Sequence, residues 1–417
     1  MATVRSGTGV ISLLKEDSFL VKDGSFEGSK LQANAWDISN TFVHAPIENS
    51  AVRVTDFGKH EAGFGLAHTG STFGCSAYAV GTGTPAGDTE TPTANFLSHL
   101  VGSSLGVEPV LTVGTTAKAA IVNTTTSVTV TVPAGVAVGQ FVAHTLNGLT
   151  YVRPIIEVTG AGDEEAVLGL ALPIAPLAGS VLQGQINFQA TEDAMAHVLQ
   201  GDLLKRNTTT AAEAGQMYEF FGAVGNLTLP EVGVADAQTL SFEHMVSAFT
   251  RYNQKTRIAP VSSRPSVAAG GEFLLAKFGN TAGLPLKFLN IGCSVGRTYV
   301  PDPRANDEQG IGGWVLTDQD TSITCTVHDD QAMPTGFSAA NFPASFKEGG
   351  AENRYHLLAS FGNKVAGKIF VVYFPCIQLT GEPEDTDVNG LQAWKLTFSL
   401  VSGLPANGVS KIRMAQI

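Results

Sequence analysis

Residues 127–132, Ser-Val-Thr-Val-Thr-Val, alternate polar and apolar positions and stop at Pro133, which predicts a half-buried strand closed by a turn. Short apolar-rich runs recur at 10–15, 273–278, 286–291, 322–327 and 368–373, and 46 glycines punctuate the chain between them. The pattern predicts a mainly β protein. Helical spacing stands out at Phe96, Leu97, Leu100, Val101 and Leu105, with Thr91-Pro92 as N-cap and first helical residue and Gly106 as the stop. So short an amphipathic helix needs a sheet to cover, and its expected place is the face of the first β-fold. A second short helix is expected near 338–346, interrupted by Pro343.

One β unit is written twice. Phe220-Phe221-Gly222-Ala223-Val224-Gly225-Asn226-Leu227-Thr228-Leu229-Pro230-Glu231, then Gln238-Thr239-Leu240-Ser241-Phe242, is echoed by Tyr373-Phe374-Pro375-Cys376-Ile377-Gln378-Leu379-Thr380-Gly381-Glu382-Pro383-Glu384, then Trp394-Lys395-Leu396-Thr397-Phe398. The offset, about 153 residues, is domain-sized and far above the roughly 20 to 50 of solenoids and propellers. It predicts two related folds in tandem, 1–256 and 257–417. The boundary is expected at 257–271, where Pro260, Ser262, Ser263, Pro265, Gly270 and Gly271 break the periodicity. Residues 112–182 form β runs with Gly-rich turns and contain just two basic residues, and they read as an insertion in the first fold, either a small β-barrel or an elaborated loop.

Composition narrows the class. Of 417 residues, 43% are hydrophobic and only 15% charged, so much of the surface is uncharged Thr, Ser, Asn, Gly and Ala, which suits extensive subunit contact. A net charge of −12 argues against gripping nucleic acid, though not against a surface that nucleic acid slides past. No apolar run approaches the roughly 20 residues needed to span a bilayer, and residues 1–14 lack the pattern of a signal peptide. Cys75, Cys293, Cys325 and Cys376 are isolated in apolar contexts, as free buried thiols made in a reducing cytoplasm would be.

Candidate chemistry is thin. His60-Glu61 and His68 lack the four-residue spacing of a zinc helix, and no Gly-rich stretch ends in the Gly-Lys-Ser or Gly-Lys-Thr of a phosphate loop. Asp385-Thr386-Asp387-Val388-Asn389-Gly390 matches half of a calcium loop, but its twelfth position is Leu396, and Asn389-Gly390 reads as a hairpin turn. Asp302, Asp307 and Glu308 form a solvated acidic loop. Trp394 sits on an alternating strand and is expected in the core, whereas Trp36 lies in a polar stretch, 25–49, with no strand pattern. There it is either an anchor at a subunit contact or a local cap. No catalytic, cofactor or metal site is expected, and an enzyme is not.

Taken in order, an N-terminal β region with a long loop, Thr91-Pro92-Thr93 opening an apolar helix, an inserted β segment and 221–229 precede His356-Leu357-Leu358-Ala359-Ser360-Phe361-Gly362, Phe374-Pro375 and the repeat. This resembles the tail tube (major tail) proteins of long-tailed bacteriophages, in the version where one chain holds two tube folds. The resemblance implies two tandem β-sandwich or barrel-type folds, each flanked by a short helix, plus the small inserted β segment. It implies trimeric, pseudo-hexameric rings stacked into a tube in the virion tail, assembled in the host cytoplasm. The implied partners are other copies of the chain, tape measure and tail terminator proteins, and genomic double-stranded DNA passing without specific binding. An acidic lumen would repel that DNA, with Glu243 and Asp387 as candidate lining residues. The loops 25–49 and 299–313 are then candidates for ring stacking, through Trp36, Asp37, Asp302, Arg304 and Asp307. The rival reading is another repetitive virion component, a capsid decoration or adhesion protein; a carbohydrate-binding module or an enzyme on a β-sandwich would need convergent aromatics or carboxylates that the sequence does not display.

Overall fold

The computed structural model describes residues 4–21, 31–32, 35–42, 45–46, 66–67, 71–82, 95–112, 115–117, 123–130, 137–160, 164–193, 195–207, 216–252, 266–281, 284–285, 288–303, 311–328, 354–381, 383–388, 390–401 and 412–417. The chain is mainly β, with large antiparallel sheets, one of them curled into a half-barrel. Its first stretch gives β1 (Val4–Lys15), β2 (Leu31–Gln32), β3 (Ala35–Thr41), β4 (Ala45–Pro46), β5 (Leu66–Ala67) and β6 (Ser71–Tyr78). Helix α1 (Phe96–Leu105) and β7 (Val110–Thr112) follow. The inserted segment carries β8 (Thr115–Thr116), β9 (Ser127–Val130), β10 (Phe141–Leu146), β11 (Leu149–Thr159), β12 (Glu164–Leu168) and β13 (Val181–Leu182). Then come β14 (Gln185–Gln189), β15 (Leu199–Asn207), β16 (Gln216–Leu229), β17 (Thr239–Val246) and β18 (Ala248–Tyr252). The remainder is β19 (Gly271–Lys277), β20 (Leu284–Pro285), β21 (Phe288–Pro303), β22 (Ile311–His328), β23 (Arg354–Phe361), β24 (Phe370–Leu379), β25 (Glu384–Val388), β26 (Leu391–Leu400) and β27 (Arg413–Gln416).

Strand pairing follows one order twice. In the first series β2 pairs β1, β1 pairs β15, β15 pairs β16, β16 pairs both β17 and β18, β17 pairs β6, and β6 pairs β3. In the second, β20, β19, β23, β24, β26, β27, β22 and β21 take the places of β2, β1, β15, β16, β17, β18, β6 and β3 in that order. A bulge recurs on the same strand, two residues nearer the Phe398 rung than its counterpart is to the Phe242 rung: Phe221-Gly222 bulges between the rungs Gly201↔Phe220 and Leu199↔Ala223, and Pro375-Cys376 between Leu357↔Phe374 and Tyr355↔Ile377. A bulge bends its strand and sharpens its twist, so the first parts of β16 and β24 pair with β18 and β27 and their last parts with β17 and β26. Proline is tolerated at 375 because a bulge interrupts the ladder. The repeated register is one residue off the sequence echo, for Leu227 opposite Phe242 corresponds to Leu379 opposite Phe398, where the echo aligns Leu227 with Thr380.

The two series share one curled sheet. Its order is β3-β6-β17-β16-β21-β22-β26-β24, and the join between the series is the antiparallel contact of β16 with β21, in which Leu227, Thr228 and Leu229 face Val295, Ser294 and Cys293. Alternation along these strands puts Phe73, Cys75, Leu227, Phe242, Val295, Ile323, Leu396 and Phe398 into one hydrophobic core. All four cysteines are free and buried.

Helix α1 is sealed in this core, with every residue from Leu97 to Leu105 buried. The expected N-cap is corrected. Thr91 and Pro92 lie outside the described residues, and the cap is Asn95, whose side chain accepts the Leu97 N–H at 3.0 Å. Gly106 does end the helix, at φ 60 in the left-handed region, where Arg297 Nη1 approaches the Ser104 carbonyl at 3.4 Å. The expected second helix at 338–346 and most of the expected boundary, 257–265 of 257–271, also lie outside the described residues.

The inserted segment forms its own antiparallel sheet, β8-β13-β10-β11-β12-β9. Although it leaves the first series, it docks on the second: Phe141, Ala143, Val152 and Leu170 pack with Leu274, Leu358, Val371, Tyr373 and Ala415. The Arg153 guanidinium bridges to Glu272 at 2.8 Å, and Lys364 reaches the same carboxylate at 3.3 Å. β27 closes the arrangement between β14 and β24, and its Arg413 donates to the Ile155 carbonyl at 2.8 Å.

Candidate functional site

Two kinds of surface arise from this fold: a polar concave face and two strand edges that no described strand covers. On the curled sheet, the residues pointing away from the core are Ser39 on β3, Thr72, Gly74 and Ser76 on β6, Ser241 and Glu243 on β17, and Asn226 and Thr228 on β16. The face continues through Ser294, Gly296 and Thr298 on β21, Asp318, Asp320, Ser322 and Thr324 on β22, and Lys395, Thr397 and Ser399 on β26. Short hydroxyl side chains bond across strands, as between Ser76 and Ser241 at 3.3 Å and from Thr324 to Glu231 at 2.6 Å. An open trough of about 400 Å³ runs over Asp37, Ser39, Gly74, Glu243, Asn226 and Ser294. Its carboxylates Asp37, Glu243, Asp318 and Asp320 outnumber the single lysine, Lys395, among the described residues of the face. Such a wall is hydrated and weakly acidic. It offers a polyanion no run of cations to hold it.

The expected contact residues fall in unexpected places. Trp36 and Asp37 are on strand β3, not in a loop, and Trp36 is half-buried against Tyr78 with ring centroids 4.3 Å apart. Asp37 is exposed at φ 51, where the β3–β6 register shifts. The 299–313 region is also no simple loop, because β21 runs on to Pro303 and β22 resumes at Ile311, with Asp302 opposite Gly313 on a β arm. At the arm's base Tyr299 and Trp314 pack with Val198 and Val224, and Trp314 Nε1 donates to the Gly222 carbonyl at 2.8 Å. Arg304, Asp307 and Glu308 lie outside the described residues, as do His60, Glu61 and His68. Glu243 lies in the trough. Asp387 does not: opposite Gln392, it shares the face of Trp394, which packs on the core, and not that of Lys395. At the expected hairpin turn Asn389 lies outside the described residues, but strands β25 and β26 meet in the Val388↔Leu391 rung, and Gly390 sits at φ 79 with its N–H donating to Asp387 Oδ1 at 2.8 Å.

Groups that elsewhere do chemistry are enclosed here. Ser103 Oγ lies 2.7 Å from His244 Nε2, yet both residues are fully buried, and burial drives the His244 imidazole down to about 3. The buried His99 and His197 form a chain that reaches solvent only at the exposed Glu108, with His197 Nδ1 3.1 Å from Glu108 Oε2. Burial would raise the Glu108 carboxyl, but His197 and Lys15 pull it down to about 2. No group of three or more potential metal ligands occurs among the described residues.

Glu16 clamps the first bulge. Its carboxyl accepts the N–H groups of Gly222, at 2.5 Å, and Leu20, at 2.9 Å. Burial raises it from the ordinary 4.5 to about 8 in spite of those two donors. Between those values the folded chain keeps a proton that the unfolded chain has released, so stability is full below pH 4.5 and falls as pH rises toward 8. The lowered His144, His197, His244 and His356 act in the opposite sense, and because unfolded imidazoles are still half protonated at 6.5, their stabilising effect goes on rising for about one pH unit beyond it. From pH 6.5 to 8, the parent is therefore expected to lose about 2 kcal/mol relative to a Glu16→Gln variant, which keeps the same histidines. Urea unfolding at the two values checks this, and a Glu16→Gln variant that falls equally would refute the assignment to Glu16.

No protein-family model matches the chain, and no curated protein matches it in sequence.

Proposed function

We propose that this protein is the structural subunit of a phage tail tube: three chains close into a pseudo-hexameric ring, and rings stack into a conduit for genomic DNA. The observation that carries the reading is the curled sheet, to which each of two series with the same pairing order gives four strands. A half-barrel whose two edges are covered by no described strand is completed by further copies, because closure pairs backbone groups that would otherwise template aggregation. Its polar, acid-leaning face then lines the lumen, and the net charge of −12 has the sign that lets a polyanion pass. Tape measure and terminator proteins are the partners such a tube would have.

Negative-stain imaging and native mass measurement of the purified chain test the reading. Rings of three chains, or tubes built from them, are the expected result. Monodisperse monomers at all concentrations would favour a decoration or adhesion protein.

A further inference from the structure

The curled sheet ends on β3 at one side and, just past the Arg354↔Gln378 rung that joins β24 to β23, on Leu379, Thr380 and Gly381 at the other, and among the described residues neither has a strand on its outward side there. The seam inside the chain shows what fits. β16 meets β21 antiparallel, with Thr228 opposite Ser294. Repetition of the pairing order supplies the counterparts. Thr228 faces Ser241 one rung from Leu227↔Phe242, and Thr380 donates to the Thr397 carbonyl at 3.0 Å, one rung from Leu379↔Phe398. On the other edge, Ser294 faces Ser322 beside Ile323↔Phe398, and Ser39 faces Gly74 beside Cys75↔Phe242. Thr380 thus stands where Thr228 stands, and Ser39 where Ser294 stands.

We infer that the β24 edge of one chain pairs antiparallel with the β3 edge of a second copy, with Thr380 opposite Ser39, Leu379 opposite Asn40 and Gly381 opposite Ile38. The inference rests on the ring reading and adds its register. Backbone polarity agrees with it: Thr380 turns its N–H toward β26, so the alternation of an antiparallel ladder turns those of Leu379 and Gly381 outward. Space agrees as well. Thr380, Gly381 and Ser39 are exposed, and a Cβ added at Gly381 would meet nothing within 4 Å.

Cysteine cross-linking reads the register directly. Facing residues of this kind stand about 4.5 Å apart at Cα, within disulfide reach, and the native cysteines are at most 4% exposed. The double variant Ser39→Cys/Thr380→Cys, oxidised mildly, is expected to give a covalent ladder that ends at a closed trimer. A mixture of the two single variants should stop at a dimer, and Thr228→Cys/Ser294→Cys should close within one chain without changing its mass on a denaturing gel. Covalent dimers from either single variant alone would mean like edges pairing about a two-fold axis, and would overturn the inference. Rings seen in the double variant without cross-links would overturn the register and leave the tube reading intact. Absence of rings in the parent protein would remove both.

Discussion

Proline at Met414 is expected to abolish cooperative folding. Met414 is fully buried at the middle of β27, facing Phe188 on one side and Val372 on the other, so it joins β14 to β24. Proline cannot donate to a central ladder, and the exchange also removes a buried side chain from the core. The combined loss exceeds about 4 kcal/mol, comparable with the whole stability of many domains. The same strand carries Gln416, which accepts from Asn95 at 3.1 Å and Ser98 at 2.9 Å and so ties β27 to the start of α1. Differential scanning calorimetry should show no transition, or one displaced by well over about 10 °C. An unchanged transition would mean that β27 is peripheral to the fold.

The same substitution at Gly381 is expected to have the opposite outcome: an intact fold and no assembly. The N–H it removes faces outward just past the end of β24 and has no partner among the described residues, and the added ring meets open space. At a chain-to-chain seam that N–H is a required donor, and each ring contains every seam, so one lost rung is repeated all the way round. Circular dichroism and melting should match the parent, while particle images show single chains. Tubes that persist with Gly381→Pro would exclude this edge from the seam. A folded Gly381→Pro chain beside an unfolded Met414→Pro chain separates the strand that builds the subunit from the one that joins subunits.

Much of the fold was legible because its strands alternate. The paired hairpins around Phe242 and Phe398, the buried thiols and the glycine stop of α1 all follow from local pattern. β3 did not show itself, for two physical reasons. Its outward face is polar and its inward residues only half-buried, so Ala35-Trp36-Asp37-Ile38-Ser39-Asn40-Thr41 lacks apolar contrast, and the irregularity at Asp37 breaks the two-residue period. The N-cap was misplaced because several cap-competent residues precede the apolar run, and the core selects the one that seats Leu97. Docking of the insertion on the second series had no local signature. Arg153, one of its two basic residues, meets a carboxylate 119 positions away. The Ser and Thr residues at the strand edges carried no signal either, since hydroxyl side chains suit any wet β surface.

The inserted lobe occurs once per chain although the pairing order occurs twice, since the link between β22 and β23 is far too short to hold another. A closed ring of three such chains would therefore be sixfold on its inner wall and only threefold on its outside. Lobes and bare sectors would alternate around the circumference. Whatever travels through the bore would feel a nearly uniform cylinder, whereas anything gripping the exterior, including the next ring in a stack, would meet a toothed profile with three distinguishable positions in place of six.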